Sequence, residues 1–560
     1  MPINYLLPSH SVSAVPPSVP TSHVTRRTFL ATSSALLASV AARAAAQPWT
    51  YPGIILPSRS RRPVGDFAPP LLDAEQLRAL ARAAIDAAIA AGAEMADIRV
   101  SDHRSFFTWG RSSQDNRLTL GSNYGLRVRV GGAETFLSGA ELARDHLIAT
   151  AQRAAATVKG LATVAKTPPR IAPAPVVTGE WEVPVELHPF DVSPDDHLYV
   201  VGGLGANHGQ GVGAAGCDAT VTWYDETRVV ATSEGSLVTQ RFVRCVPNVG
   251  FRSPGFFTDW IGYRTPLFKP CSVGFEYLLR PGIHDALHEA GLELAELTKI
   301  KNAPLTDVGR KEIVFDGYVH AQLIGEVLAP ALTLARVIGE DQDHSGTSVF
   351  GPTSQWLGQP IGSPLVNLQT QAALPGIGAA KWDDEAVATQ PQTLISAGRL
   401  TDYFCTRANR EAVAGLPTTL AGTTTAADVQ CAPVALPTEV TMPAAETGPS
   451  YDELVRSIQD GYVLRQAWWV GNDQQCAGGT IAPDTLLEVR RGKIVRRIMG
   501  AQIAVTTRKF WQGLTALGGT DTLRTEVTND MTGPPWKNSL RFATAPAAHF
   551  KEADIVRPTR

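Results

Sequence analysis

The sequence predicts an α+β fold built from three successive regions. Helical periodicity marks a few separate segments, whereas short β-branched runs divided by Gly and Pro fill most of the second half. Helices and strands that occupy separate stretches of a chain are typical of the α+β class. The predicted regions are an N-terminal α/β domain over residues 71–165, a middle antiparallel β region with a closing helix over residues 175–305, and a large β-rich C-terminal domain over residues 310–556.

An export signal is predicted at the start of the chain. The adjacent Arg26 and Arg27 precede the apolar run Leu30–Ala42, and small residues follow that run. This order, with paired arginines, is typical of a twin-arginine signal peptide, here assigned to residues 1–46, and residues 47–70 are predicted to be a linker. We therefore expect the mature protein to be periplasmic or secreted. No later apolar run approaches the roughly 18 residues of a membrane span, so no membrane anchor is expected.

The N-terminal domain is predicted to contain two helices and two strands. Asp73–Ala91 has one apolar stripe at helical spacing, and a glycine follows where a helix would end. Met95–Asp102 and Gly125–Val130 alternate in the manner of half-buried strands, and the second strand runs into a Gly-Gly turn. Glu141–Lys159 is predicted to be the second helix, and a Pro-rich stretch then closes the domain.

The middle region is predicted to be an antiparallel meander. Its three strands are short and rich in β-branched residues, and turn residues separate them. They are predicted at Ala219–Tyr224, Arg228–Thr232 and Ser236–Val246, and the closing helix is predicted at Leu279–Ile300.

The C-terminal domain is predicted to begin with a strand and a buried helix. Glu312–Phe315 is apolar and short enough for a strand, and apolar residues between Ile324 and Ile338 follow helical spacing. Pro330 interrupts this pattern. Proline lacks a backbone donor and crowds the carbonyl four residues earlier, so a kink or break is expected there. Short strands are predicted to fill most of the remaining chain as a sandwich or barrel.

Charge and cysteine usage exclude several classes of protein. The chain has 50 basic and 53 acidic residues, and a net charge of −3 gives no electrostatic basis for nucleic-acid binding. The six cysteines contain no Cys-x-x-Cys pair, which excludes zinc-ribbon and thioredoxin-type motifs. Disulfides and buried free thiols both remain open for an exported protein of this size.

The densest group of titratable side chains lies on and after the buried helix. It comprises His320, Glu326, Asp341 and His344. These residue types serve as general acids, general bases and metal ligands. They are therefore the candidate catalytic residues if the chain is an active hydrolase, although an acidic turn after a helix is more often a solvated surface.

Several blocks, read in order, resemble the TldD/PmbA family of metallopeptidase-related proteins. Together they cover nearly the whole mature chain, and their order and spacing carry the resemblance. The blocks are Ala91–Arg99, Gly125–Val130, Val314–Phe350, Ile361–Pro364, Asp383–Glu385, Leu394–Leu400, Arg407–Leu416, Gly461–Val463, Leu486–Gly500 and Leu517–Gly519.

The resemblance implies zinc as the family cofactor, yet the expected ligands are missing here. TldD-type members carry His-Glu-x-x-x-His on the central helix, which holds the metal through neutral imidazoles and supplies a glutamate as general base. Matching Glu326 to that glutamate places Gly325 and Pro330 at the histidine positions. The other ungapped register places Ala331 and Arg336 there. Neither register contains a histidine, so no bound cofactor is expected.

The ligand pattern is closer to the PmbA-type members, also called TldE, which lack the zinc ligands. TldD-type members have a further cysteine ligand near the C-terminus, and no cysteine follows Cys476 in this chain. The resemblance therefore implies a non-catalytic partner subunit or a peptide-binding pseudo-peptidase. We expect a homodimer, or a heterodimer with a zinc-bearing TldD-type relative, and a peptide as the ligand. The alternative is an active peptidase or other hydrolase with a relocated site.

Overall fold

The computed structural model describes residues 50–51, 54–55, 66–110, 115–164, 171–209, 216–252, 260–263, 267–280, 282–342, 345–413, 420–426, 428–532 and 537–558. Two compact units are present, Met1–Arg61 and Arg62–Arg560. In the first unit, β1 (Thr50–Tyr51) pairs antiparallel with β2 (Ile54–Ile55). The predicted signal peptide, residues 1–46, lies outside the described residues. The rest of this section concerns the second unit.

A mostly antiparallel sheet of seven strands forms the first half of this unit. Its strands are β3 (Met95–Gly110), β4 (Asp115–Val130), β5 (Ala133–Gly139), β6 (Thr178–Glu182), β7 (Gly216–Thr232), β8 (Leu237–Arg252) and β9 (Trp260–Tyr263). The order is β5-β4-β3-β7-β8-β6, and β9 pairs with β8. Since β3 pairs with both β4 and β7, the sheet runs across the predicted boundary between the N-terminal domain and the middle region.

Three helices pack against this sheet, α1 (Ala74–Ala90), α2 (Arg144–Ala162) and α3 (Pro194–Gly209). A fourth, α4 (Ile283–Thr298), contacts α3. The Asp73 side chain accepts a hydrogen bond from the Gln76 backbone N–H, and the Gln76 side chain accepts one from the Asp73 N–H, so a capping box starts α1. The apolar stripes of α1 and α2 share one core with β3, β4 and β7. These two helices lie where their periodicity predicts, because each buries a single apolar face.

The second half contains an eight-stranded sheet that closes on itself. Its strands are β10 (Asn302–Pro304), β11 (Gly309–Phe315), β18 (Asp460–Asn472), β19 (Gly478–Arg490), β20 (Lys493–Met499), β21 (Gln502–Thr506), β22 (Leu514–Leu517) and β25 (Ala548–Val556). The pairs β11–β18, β18–β19, β19–β21, β21–β25 and β25–β11 return to the starting strand. Closure is achieved because β19 pairs with β21 through its first residues and with β20 through its last ones. These five strands form a small barrel-like ring.

A six-stranded sheet lies in the same half. Its strands are β12 (Leu368–Thr370), β13 (Thr393–Ser396), β14 (Arg399–Leu400), β17 (Glu439–Thr441), β23 (Arg524–Thr532) and β24 (Lys537–Ala545), in the order β14-β13-β12-β17-β24-β23. A separate hairpin joins β15 (Thr424–Thr425) to β16 (Val434–Ala435).

Short helices connect the strands of both sheets. The α-helical ones are α5 (Gly317–Leu323), α6 (Ala329–Ala331), α7 (Leu334–Ile338), α8 (Thr353–Trp356), α9 (Arg407–Ala412), α10 (Tyr451–Ser457) and α11 (Thr507–Phe510). The 3₁₀ segments are Pro189–Asp191, Phe275–Leu279, Trp511–Gly513 and Thr520–Thr522.

The C-terminal core lies around α5, which packs against β18 of the ring and against β23 and β24 of the six-stranded sheet. The predicted α+β class is confirmed, with a β-rich C-terminal half. In the described part of the chain, no helix combines the length and the apolar character that crossing a bilayer requires. Cys245 and Cys271 are buried free thiols, and Cys405, Cys431 and Cys476 are buried as well.

Candidate functional site

The central helix is broken near Pro330, as its sequence predicts. The disruption begins before the proline, because a π turn at Ile324–Leu328 separates α5 from α6. In this turn the Ala329 N–H donates to the Ile324 carbonyl, five residues back. The chain then leaves the helix at Thr333 before α7 begins. The segment is therefore a series of short turns rather than one continuous helix.

The missing N–H of Pro330 accounts for the break. In a regular helix residue 330 would donate to the Glu326 carbonyl, and proline cannot do so. The Asn472 side chain instead donates from Nδ2 to the Glu326 carbonyl, at 2.6 Å. Past the proline, the Thr333 hydroxyl donates to the Pro330 carbonyl at 2.9 Å. The open backbone acceptors are thus satisfied by side chains, which stabilises the irregular geometry.

In the first register, neither of the two expected histidine positions can present a metal ligand. Gly325 is buried, and a Cβ atom placed on it would lie 2.0 Å from Thr528 Cγ2 on β23. No side chain larger than hydrogen fits there without movement of β23. Pro330, the second position, is buried as well and has no ligand atom. Imidazoles could not be presented from either place in this packing.

The second register places a cation at a ligand position. Ala331 is fully buried and offers only its backbone, whose carbonyl accepts a hydrogen bond from Ser348 Oγ at 2.6 Å. Arg336 is 7% exposed, and its Nη1 lies 3.1 Å from Sγ of Cys476. A guanidinium carries donors only and a permanent positive charge. It can neither ligate a metal ion nor favour one nearby, so these residues do not fit zinc.

The candidate catalytic residues lie in different surroundings. His320 is fully buried beside Trp511, and its Nδ1 lies 2.8 Å from the Pro546 carbonyl. Burial lowers the pKa of His320 to about 4 and outweighs that hydrogen bond, so the imidazole is neutral near pH 7. This environment is a packed core rather than a solvent-accessible site.

The other candidates lie on the helix and in the acidic turn after it. Glu326 is half-buried within the π turn. The Asp341 carbonyl accepts hydrogen bonds from the Ser345 and Gly346 N–H groups, both at 2.9 Å. His344 lies outside the described residues. Among the described residues, no three His, Cys, Asp or Glu side chains converge on a point that could hold a metal ion.

A cavity of about 320 Å³ lies between the seven-stranded sheet and loops of the C-terminal half. Strands β3, β4, β7 and β8 line one side, and residues 377–384, 425–438 and 541–542 contribute to the other. The residues that line it were not singled out from the sequence, apart from the acidic run Asp383–Glu385 within the family resemblance. Its volume is at the lower end of the range of ligand pockets, roughly 300 to 1,000 Å³.

Arg228 connects the two sides of this cavity. Its Nη1 donates to both carboxylate oxygens of Asp384, at 2.9 and 2.8 Å, and its Nε and Nη2 donate to Glu226 at 2.8 and 3.1 Å. Burial alone would raise the pKa of Glu226, but Arg228, with smaller contributions from Arg244 and His103, lowers it. One guanidinium therefore holds a carboxylate from each side of the cavity, and Asp384 also accepts a hydrogen bond from the Ala426 N–H at 2.6 Å.

The neighbouring acids of the same run have structural partners. Glu385 accepts a hydrogen bond from Arg127 Nη2 on β4 at 2.8 Å, and a second from the Arg407 N–H at 2.8 Å. Asp383 accepts from the Glu385, Val387 and Thr424 N–H groups. Burial and the adjacent Glu385 nevertheless raise the pKa of Asp383 to about 8. The acidic run thus joins the loop to the sheet, and its contacts explain its position without catalysis.

Residues 308–544 match a family model described as the PmbA/TldA metallopeptidase C-terminal domain. A comparison with curated protein sequences gives no match. The fold resembles a putative modulator of DNA gyrase from Bacteroides thetaiotaomicron, with 16% identity over 86% of this chain and 99% of that chain and a TM-score of 0.65. TldE from Thermococcus kodakarensis has 14% identity over 86% of this chain and 100% of that chain, with a TM-score of 0.61.

A third structure, a putative modulator of a DNA gyrase from Thermotoga maritima, has 13% identity over 85% of this chain and 99% of that chain, with a TM-score of 0.62. At these identities the likeness between structures shows the fold alone. Residues 308–544 therefore form a domain of the PmbA/TldA metallopeptidase C-terminal type. This domain confirms the resemblance to the TldD/PmbA family that the sequence blocks carry.

Proposed function

We propose that this chain is an exported TldD/PmbA-family protein that lacks the family's zinc site. It acts as a non-catalytic partner subunit or as a peptide-binding pseudo-peptidase. The observation that supports this proposal is that neither register of the central segment offers a side chain that could bind zinc. In one register Gly325 packs against Thr528 and is followed by Pro330, and in the other Arg336 lies against Cys476. No metal-dependent step is derived for this chain.

Metal content and chelator sensitivity test the zinc-free assignment. The folded protein, purified without added metal and dialysed against zinc, is expected to retain well below one metal ion per chain. Peptide cleavage is expected to stay at the background rate with and without a chelator. Stoichiometric, tightly bound zinc together with chelator-sensitive cleavage would refute the proposal. Cleavage that resists chelators and disappears in His344→Ala would instead favour a peptidase with a relocated site.

Export and partnership need separate experiments. N-terminal sequencing of the protein from the periplasm is expected to start after the region of Ala44–Ala46, and Arg26→Lys with Arg27→Lys is expected to retain the protein in the cytoplasm. Native purification followed by cross-linking is expected to yield either a homodimer or a complex with a ligand-complete TldD-type relative. A monomer at micromolar concentration that captures no such relative would refute the partner-subunit role.

A further inference from the structure

Strand β4 extends beyond its neighbour β5 and has an unpaired edge there. On one side β4 pairs with β3 from Asp115 to Arg129. On the other side β5 pairs only with residues 124–130 of β4. Among the described residues, no strand pairs with the outer side of residues 115–123. This run therefore presents backbone N–H and C=O groups with which another strand can pair.

The unpaired edge lacks the features that usually protect an exposed strand, which are lysines, prolines and β-bulges. Residues 115–123 contain no lysine and no proline. The pairing of β4 with β3 runs from end to end without a shift of register, so no bulge twists the edge away. The two charged residues, Asp115 and Arg117, form an ion pair with each other at 3.0 Å. The edge is thus regular, and its charges are paired.

Two exposed leucines lie on this edge. Leu118 and Leu120 are 44% and 42% exposed. Alternate residues of a strand share a face, so both leucines lie on the same face of the sheet. Apolar side chains beside unpaired backbone groups favour an extended protein strand as the partner, because such a strand supplies main-chain hydrogen bonds and apolar cover together.

The outer edge of β5 differs from the edge of β4, although both belong to the same sheet. β5 includes a charged residue, Glu134, which pairs with Arg129 of β4. Its two large apolar residues, Phe136 and Leu137, are half-buried rather than exposed. This edge therefore lacks the exposed apolar pair of β4, and it serves below as the comparison.

We propose that the unpaired edge of β4 is an interface between two copies of this chain, which pair antiparallel about a twofold axis at Thr119. In this register Leu118 of each copy lies opposite Leu120 of the other. Arg117 lies opposite Gly121, so no like charges face each other. The two seven-stranded sheets become one continuous sheet. The inference rests on the partner role proposed above and identifies its surface and its occupant.

The pattern of residues along the edge is what favours a second copy and this register. A twofold interface uses the same surface on both subunits, so that surface must complement itself. With the axis at Thr119, both leucines of each copy meet leucines of the other. With the axis moved by one residue to either side, one leucine of each copy would instead lie opposite the polar Asn116 or Ser122. Apolar cross-strand pairs are the more stable arrangement.

Cysteine cross-linking of the full mature chain tests the register. In Thr119→Cys the two new thiols lie opposite each other across the axis, and a short bismaleimide is expected to join most chains into covalent dimers. Ser138→Cys is the matched control, because Ser138 is an exposed residue of β5. The control is expected to stay at the background of the unsubstituted protein. Equal cross-linking of both variants, or none in Thr119→Cys, would overturn the proposal.

Lysines on the edge supply the second arm. Leu118→Lys combined with Leu120→Lys brings four cations together at the axis and is expected to raise the dimer dissociation constant at least about tenfold in sedimentation velocity. The matched control is Ile494→Lys combined with Val495→Lys, at residues that are 37% and 48% exposed on β20. The control is expected to keep the original constant. Equal weakening in both double variants, or none in the first, would overturn the interface.

The outcomes distinguish the proposed surface from the partner role itself. A dimer that survives the two lysines and does not cross-link through Thr119→Cys would overturn the surface and leave the partner role standing. A monomer that captures a TldD-type relative would overturn the second copy as the occupant and again leave the partner role standing. Thermal unfolding of each variant establishes that the comparison concerns folded protein.

Discussion

The contact between Gly325 and Thr528 provides the sharpest test of whether packing excludes a side chain at residue 325. A methyl group on residue 325 would lie 2.0 Å from Thr528 Cγ2, 2.9 Å from its Cβ and 3.1 Å from its Oγ1. Both residues are buried, and Thr528 is 1% exposed within β23. Gly325→Ala therefore forces the helix and the strand apart, although alanine is the better helix former.

Two opposing terms set the expected change in the free energy of unfolding for Gly325→Ala. Overpacking a buried site costs about 1–3 kcal/mol, and a 2.0 Å overlap belongs at the upper end of that range. Alanine in place of glycine gains about 1 kcal/mol of helix propensity. The expected net loss in the free energy of unfolding for Gly325→Ala is about 2 kcal/mol. Thr528→Ser, which removes only the Cγ2 methyl, is expected to cost about 1 kcal/mol by itself.

The double variant separates this explanation from a general weakening of the core. In Gly325→Ala with Thr528→Ser, the new methyl occupies the space that Cγ2 vacates. The loss is then expected to be at least 1 kcal/mol smaller than the sum of the two single losses. Urea unfolding followed by circular dichroism measures all three variants, and unchanged m-values support the two-state comparison. Losses that add within about 0.5 kcal/mol would refute the direct contact.

Gly160 supplies the matched control for the glycine substitution. It lies near the end of α2, and a Cβ placed on it would meet nothing within 4 Å. Gly160→Ala is expected to stabilise the protein by up to about 1 kcal/mol, because only the propensity term remains. A destabilisation of the same size as in Gly325→Ala would show that backbone conformation, rather than the contact with Thr528, decides the cost.

Two further predictions concern buried charges. Burial holds the pKa values of His197 and His320 at about 4, against 6.5 for an ordinary histidine, so the unfolded chain binds more protons between these values. The free energy of unfolding is expected to fall as the pH is lowered from 6.5 to 4, and to fall less steeply in His320→Gln. Urea unfolding midpoints at several pH values measure this change. Parallel pH profiles of the two proteins would contradict the lowered pKa of His320. Glu385→Gln is expected to lower the free energy of unfolding by about 3 kcal/mol, because it leaves the buried Arg127 without one of its carboxylate partners. Lys299→Gln removes an exposed ion pair with Glu296 and is expected to lower it by less than about 1 kcal/mol, as urea unfolding of both variants measures. Equal losses would contradict this explanation.

Local features of the chain were predictable where short-range chemistry decides them. The helix predicted at Asp73–Ala91 is observed as Ala74–Ala90, because its apolar stripe and its capping box both lie within the segment. The disruption at Pro330 follows from a missing N–H, which is a property of one residue. The π turn before it was not predictable, because it depends on Asn472, which lies 146 residues away in sequence and takes the freed carbonyl of Glu326.

The candidate site shows the same division. The absence of histidines at Gly325, Pro330, Ala331 and Arg336 is legible in the sequence once the family resemblance supplies the pattern. The sequence does not show which residues surround these four positions. The contact of Arg336 with Cys476 joins residues 140 positions apart, and no periodicity or spacing in either segment indicates it.

By itself the sequence determined the α+β class, the helices with one apolar stripe and the break at Pro330, because these depend on residue type and local spacing. Only the tertiary structure decided that β3 pairs with β7 and that five strands close into a ring. It also decided that Arg228 connects Glu226 on the seven-stranded sheet to Asp384 in the C-terminal half. Strand pairing and charge balance depend on partners far apart in the chain, and the free energy of the whole fold selects those partners.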